Sequence, residues 1–447
     1  MSNEEKELLD AARNVVRIAK QKGAQEVATS AGKSREVEVQ WRDGALEKIS
    51  EATSRSIGLQ LYVDGRYASL STSDLRPHAL ERFIEDAVAL TRTLAPDPFR
   101  TITDAKLYEG RQAKDLGAED PSYDSLSAAE RLQQAKTLEA LCRAERPFGK
   151  APEILSVTSG VSDSQSVGAR VHSNGFEGSR RQTSFWLSAS VTLKDPDGRR
   201  PEEYGYGGAR MQKDLPPLKD IAEQAMERAA GRIGSKKPES GVMTMIIENR
   251  SAGRMLGSFL GPANASSFQQ KRSMFEGKLK TKVASALLDL TDDPFVHKGF
   301  GSRLWDGEGI ASKTMPVIKA GVLENVYIDT YYGKKLGWAP TTRSTSNLAW
   351  KYGTKDLSGL MRDAKDAFLV TRFLGGNSNG TTGDFSFGVQ GFRVRGGEKA
   401  ESVGELNVSG NHIDLWHRLS AIGNDPYPYS SMRTPSLVFE KVQFAGA

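Results

Sequence analysis

Five histidines, one cysteine and a few closely spaced carboxylates are the side chains best suited to chemistry in this chain of 447 residues. The histidines are His78, His172, His297, His412 and His417. No H-E-x-x-H pattern places two of them at i and i+4, the spacing that aims both imidazoles from one helical face at a single zinc. His412 and His417 are five apart and would point about 140° away from each other on a helix, which argues against a shared metal. His297 falls in DDPFVHKGFGS, a loop sequence. Asp306 and Glu308 in SRLWDGEGIAS could share acid–base work, but D-G-E-G is also turn chemistry. Cys142 cannot form an internal disulfide, and its place among Leu132, Ala135 and Leu138 at helical spacing makes it a small core residue.

The other conspicuous segment is GGNSNGTTGDFSFGVQGFRVRGGE, residues 375–398. It lacks the G-x-x-x-x-G-K-[ST] lysine of a phosphate loop, and no G-x-G-x-x-G opens a helix after a strand. The alternation of Phe385, Phe387 and Val389, then Phe392 and Val394, predicts strands with glycine breaks, a bulged hairpin.

The elements that would position these residues read as follows. An amphipathic helix over 4–21 stops at Gly23. A meander follows from residue 35, punctuated by the turns RDG and VDGR. A helix spans 77–94, and another begins near Ser127, where Glu130 completes a capping box. Strands occupy 153–211, with turns at SNG and PDG, and a helix lies around 216–232. GSKKPESG, 234–241, is the linker candidate. Beyond it come the buried strand GVMTMIIEN, one helix over SAGRMLGSFLGPANASSFQQK, short strands, and a late helix near IDLWHRLSAIG. The fold class is α+β: an N-terminal α+β domain, 1–238, with two subdomains at about 1–110 and 120–238, then a mostly antiparallel β domain, 239–447, with few helices.

With 61 basic against 56 acidic residues, charge is near balance, which argues against a dedicated nucleic-acid binder. The basic run KRSMFEGKLKTK, 271–282, reads as a solvated, mobile surface. The acidic N-terminus has no apolar stretch of a secretory signal, and no run of 18 apolar residues could span a membrane. A cytoplasmic location is expected.

Three blocks carry a resemblance. DDPFVHKGFGSRLWDGEGIASKTMPVIKAGVLENVYIDTYYGKKLG (292–337), TTGDFSFGVQGFRVRGGE (381–398) and VSGNHIDLWHRLSAIGND (408–425) are similar, in order, to the TldD/PmbA family, once called modulators of DNA gyrase. In that family TldD-type chains carry H-E-x-x-x-H on the helix opening the C-terminal half, and a late Cys, which together hold zinc. Here that segment reads IIENRSAGRMLG, with Glu248, Asn249 and Gly253 near those positions, and Thr434 in SSMRTPS stands near the Cys. The resemblance therefore implies a TldE/PmbA-type chain with no cofactor of its own. Its partner would be a TldD-type zinc metalloprotease, and the pair would degrade unfolded peptides or trim leader peptides. It implies no catalytic residue in this chain and leaves the isolated chain a candidate homodimer.

The resemblance also implies that Thr382, Gly383, Asp384, Phe385, Ser386, Phe387 and Gly388 line a cavity shared with the partner. There an extended peptide or the partner's backbone would join by strand addition. Phe385 and Phe387 would face one to each side, and Asp384 would fix the turn through an Asx-type bond. Two other readings stand beside this one. One is a homodimeric scaffold or gyrase-linked binding protein. The other is a self-standing hydrolase using Asp306, Glu308 or His297.

Overall fold

Two serine caps show how locally the helices are specified. Ser2 and Ser127 each accept from the backbone N–H three residues on, and Glu5 and Glu130 reach back to the cap N–H groups. The computed structural model describes residues 2–145 and 152–446. In chain order the elements are α1 (Asn3–Gln21), β1 (Glu26–Arg42), β2 (Ala45–Val63), β3 (Arg66–Thr72), α2 (Pro77–Thr93), α3 (Ala128–Ala144), β4 (Ile154–His172), β5 (Glu177–Leu193), β6 (Glu202–Ala209) and α4 (Leu218–Ala230). There follow β7 (Gly241–Ile247), α5 (Asn249–Leu260), α6 (Ala265–Gln269), β8 (Leu290–Asp292), β9 (Met315–Lys319), β10 (Val322–Leu323), α7 (Thr330–Leu336), β11 (Leu348–Trp350) and α8 (Leu357–Ala364). The chain ends in β12 (Asp366–Ser378), β13 (Asp384–Arg395), β14 (Glu398–Asn411), α9 (His412–His417), β15 (Leu419–Ile422) and β16 (Leu437–Ala445).

The α+β class holds. The N-terminal strands form one antiparallel sheet in the order β3-β2-β1-β4-β5-β6. Its first two turns place Asp43 and Gly44, then Asp64 and Gly65, at positive φ, the geometry that suits the twist of a hairpin. β1 starts at Glu26, nine residues earlier than the alternation around Glu36 suggests, and it joins both helix–strand groups by pairing with β4 from Ala28–His172 to Arg42–Thr158.

Strand alternation gives this sheet two different faces. On the odd-numbered face, Val27, Ala31, Ile57, Leu59, Ala169 and Val171 pack α1 and α2 at one end. Val39, Val157, Val161, Leu187 and Val191 pack α3 and α4 at the other. Cys142 is fully buried there, and desolvation pushes its thiol pKa up to about 12. The even-numbered face, carrying Gln60, Tyr62, Arg170, His172 and Arg180, receives the C-terminal segment around Trp305, Glu308 and Arg343.

The second half holds a four-stranded sheet, β10-β9-β8-β11, and a six-stranded sheet, β14-β13-β12-β7-β16-β15, whose β14 also pairs with β16. Helices are more numerous than expected. The 251–271 helix is two helices, because Gly261 and Pro262 end α5. Asp356 caps α8, which propensity alone hides because Gly359 lies in its first turn. The late helix stops at His417, and the chain continues as β15. The basic run 271–282 has exposed cations but is anchored by buried Met274 and Phe275, so it is a pinned surface rather than a free one. Among the described residues no helix is long and apolar enough to cross a membrane.

Arg131 on α3 and Asp163 on β4 form a two-pronged pair at 2.6 and 3.0 Å, with side chains 2% and 1% exposed. Removing one partner leaves the other charge buried and unpaired. Asp163→Ala is expected to lower unfolding free energy by about 3–5 kcal/mol in urea titration, whereas exposed pairs such as Arg82–Asp86 should be worth under about 1 kcal/mol.

Candidate functional site

The start of α5 and the last connection before β16 are bound together. Thr434 Oγ1 donates to Asn249 O at 2.8 Å, and Asn249 Nδ2 donates to Asp425 O at 2.7 Å. Asp425 in turn accepts from Ser436 N and Oγ at 2.9 and 2.7 Å. One turn along α5, a Cβ added to Gly253 would lie 3.8 Å from both Thr434 Oγ1 and Met432 Sδ. The structure thus brings Asn249, Gly253 and Thr434 together. Glu248, at the N-cap of α5, turns to Arg228, with an ion-pair distance of 2.8 Å. Burial raises the Glu248 pKa, and Arg228 opposes that shift.

This cluster does not suit zinc. Gly253 offers no donor atom, the Thr434 hydroxyl is neutral, and the Asn249 amide is committed at both ends, its Oδ1 accepting from Arg250 N at 2.6 Å. Zinc is held by neutral imidazole, thiolate or carboxylate, and none of these three side chains offers one. Among the described residues no three His, Cys, Asp or Glu side chains converge on a common point. Around the start of α5 the guanidinium groups of Arg228, Arg250, Arg254 and Arg372 outnumber the buried carboxylates of Glu203 and Glu248. Arg250 stacks over Tyr204 and Tyr206 at 4.4 and 4.5 Å, and Arg254 lies 5.4 Å from the Phe387 ring.

These arginines, with Arg228 and Arg372, line a cavity of about 410 Å³ between α5 and residues 371–375 of β12. β7 pairs with β12 only at Phe368–Val370, so from Arg372 to Ser378 only β13 is its partner strand. The open stretch carries Leu374, 45% exposed, and Gly375–Gly376. A free strand edge therefore runs along one wall of a cationic groove, and α5 forms the other.

The hairpin of β12 and β13 is bulged as expected, with register shifts at Val370/Arg372 and Phe373/Gly375. Gly376, at φ +112°, has no room for a side chain, because a Cβ there would meet Ser386 O at 2.0 Å. Two expectations are corrected. Phe385 and Phe387 do not face opposite sides: two residues apart on one strand, they share a face, are 5% and 0% exposed, and stack at 5.4 Å in the core. The outward side chains are those of Asp384 and Ser386, with half-buried Gly388 following. Strand addition at β13 is also precluded, since β12 and β14 flank it on both sides. The open edge belongs to β12.

Asp384 does fix the loop, but through side chains: its carboxylate accepts from Thr382 Oγ1 at 2.7 Å and Asn411 Nδ2 at 3.0 Å. The Asx-type bond is made by Asn379, whose Oδ1 accepts from Thr381 N at 2.9 Å. Gly383, at φ +86°, donates its N–H to Asn379 O.

The remaining candidates are dispersed. Asp306 closes its own turn, accepting from Glu308 N and Ile310 N at 2.8 and 3.1 Å, while Glu308 Oε2 accepts from Thr330 N and Oγ1, both at 2.8 Å. They do not form an acid–base pair. His297, His78 and His417 are exposed. His412 is buried against Phe385 at 4.7 Å, with Nε2 at 3.0 Å from Ser378 Oγ.

The PmbA/TldA metallopeptidase family matches this chain in three parts: its domain 1 over residues 30–91, its central domain over 121–233 and its C-terminal domain over 240–446. The chain belongs to this PmbA/TldD metallopeptidase family. It is similar to the metalloprotease PmbA of Escherichia coli O157:H7, 26% identical over 425 residues, or 94% of this chain and 92% of that protein. It superposes on a Bacteroides thetaiotaomicron protein described as a modulator of DNA gyrase with a TM-score of 0.94 and 37% identity, covering 100% of both chains. TldE from Thermococcus kodakarensis shares the fold, with a TM-score of 0.85 at 18% identity over 98% of this chain and 100% of that one.

Two measurements follow. Gly253 has van der Waals room for a methyl group, so Gly253→Ala should raise stability by about 0.5–1 kcal/mol through helix propensity; a loss in urea titration would show a tighter site. Burial lowers the His412 pKa from 6.5 to about 4, so the unfolded chain takes up this proton first. The stabilising contribution is complete above about pH 6.5 and is lost as pH falls towards 4. The urea midpoint should drop over that window, and less steeply in His412→Asn.

Proposed function

We propose that this chain is a non-catalytic, TldE/PmbA-type subunit that pairs with a TldD-type zinc metallopeptidase in the cytoplasm. The pair would act on unfolded peptides or on the leader segments of peptide precursors. The observation that carries this reading is the Asn249–Gly253–Thr434 cluster. A metallopeptidase fold is kept, and the helix and tail meet as a metal centre would need, but a hydroxyl-to-carbonyl hydrogen bond and a glycine stand there. The zinc and the chemistry then belong to the partner. No step of peptide hydrolysis is assigned to residues of this chain.

The role left to this chain is holding peptide. An extended segment adding to the open edge of β12 would satisfy the backbone groups of Arg372–Ser378, and it would lie against Leu374 and the guanidinium groups of Arg250 and Arg254. Asp384, Ser386 and Gly388 lie on the outward face of the adjoining strand, and Thr382 and Gly383 set the loop beside it.

Leu374 is exposed, so Leu374→Glu should leave the melting temperature unchanged. Mixed with the TldD-type chain of the same source, it should lower kcat/KM for an unstructured peptide about tenfold, equivalent to ~1.4 kcal/mol. Undiminished cleavage by this variant and by Arg254→Glu would remove the groove from the proposal. Absence of cleavage by any mixture of the two wild-type chains would remove the partnership.

A further inference from the structure

A second cavity, of about 370 Å³, lies on the even-numbered face of the N-terminal sheet, far along the chain from α5. Its walls come from β2, β3 and β4, from residues 100–103, and from Glu308, the start of α7 and Arg343. None of the groove residues at α5 or β12 lines it. That volume lies within the range of small-molecule sites, which run from about 300 Å³ upward.

His172 lines this cavity, is 4% exposed, and its Nε2 has no hydrogen-bond partner. The surrounding network assigns its tautomer. Tyr108 Oη lies 2.9 Å from Thr103 O, 3.1 Å from Asn174 Oδ1 and 2.9 Å from His172 Nδ1. Asn174 Nδ2 donates to Thr103 O at 2.7 Å, which fixes its amide orientation. Both oxygens facing the phenol can only accept, so its single proton goes to one of them and His172 Nδ1–H donates to the phenol. Burial lowers the imidazole pKa to about 3, so the ring is neutral and Nε2 is a bare lone pair.

Glu308 adds a second acceptor: Thr330 occupies Oε2, and among the described residues Oε1 has no donor. Opposite in sign are two guanidinium groups. Arg100 is held flat on the rings of Tyr331 and Tyr67, at 3.4 and 4.6 Å, and Arg343 borders the same space. Neither is ion-paired to a carboxylate among the described residues. The cavity thus offers a carboxylate oxygen that can take an N–H donor and guanidinium forks that need a carboxylate.

We propose that this cavity binds a small zwitterion of the α-amino acid or dipeptide class, its ammonium group on Glu308 and its carboxylate on Arg100 and Arg343. A carboxylate fits the planar fork of arginine, and the tyrosine stacking pre-orders Arg100 for that contact. The site is separate from the α5 groove, so it does not depend on the peptidase partnership.

The test is calorimetric titration of the full chain with L-leucine, with glycyl-L-leucine and with N-acetyl-L-leucine amide, which has the side chain but neither charge. Saturable binding of one molecule per chain is expected for the amino acid or the dipeptide, and the tighter of the two identifies the source. The blocked compound should not bind. Glu308→Gln and Arg343→Gln, checked for unchanged melting temperature, should each weaken binding at least about tenfold. Should a variant unfold, Arg100→Lys keeps the charge, loses the fork and should weaken binding as well. Equal binding of the blocked compound, binding indifferent to these substitutions, or no binding by either zwitterion would overturn the proposal.

Discussion

Everything in the N-terminal half depends on the antiparallel pairing of β1 with β4. That ladder runs without a register shift from Ala28–His172 to Arg42–Thr158, and it joins two helix-bearing groups into one sheet. Because side chains alternate along a strand, a fixed register also fixes which residues share a face. Val27, Ala31 and Val171 go to the helices, whereas Ala28, Arg170 and His172 go to the C-terminal segment. A slip by one residue would exchange the two sets, putting arginine and histidine under α1 and the valines against Trp305. The buried Arg131–Asp163 pair ties α3 to the same strand.

The C-terminal half obeys a comparable constraint at α5. Its first residue is held by Ser436 Oγ to Asn249 N at 3.1 Å, by Asp425 O and by Thr434, so the helix, the 425–436 connection and β16 form one unit. The same hydrogen bonds that stabilise this unit engage both the Asn249 amide and the Thr434 hydroxyl. What remains open is the edge of β12 next to it, with positive charge on the opposite wall.

Much of the fold was legible because it is local. The capping box at Ser127, Asp-Gly turns, the apolar stripe of α3 with Cys142, and the bulged hairpin around Asp384 are all written within a few residues of one another. The continuity of the N-terminal sheet was not legible, since it rests on partners over a hundred residues apart. Pro262 was a readable break in the helix, whereas α8 hid behind Gly359. The shared face of Phe385 and Phe387 follows from strand period alone. At the site, the absence of histidine near Glu248 was plain in the sequence. The contact of Thr434 with Asn249 and the free edge of β12 exist only in three dimensions. His172 carried no motif, and its bare Nε2 emerges only from the Tyr108 network.

The central claim is that chemistry and metal lie outside this chain. It is tested most directly by measuring zinc content by mass spectrometry on the purified chain after incubation with zinc, and in the same preparation the cleavage of an unstructured peptide. The account predicts no tightly held zinc and no cleavage by the chain alone. One equivalent of zinc retained through gel filtration, together with cleavage that a chelator abolishes, would contradict it.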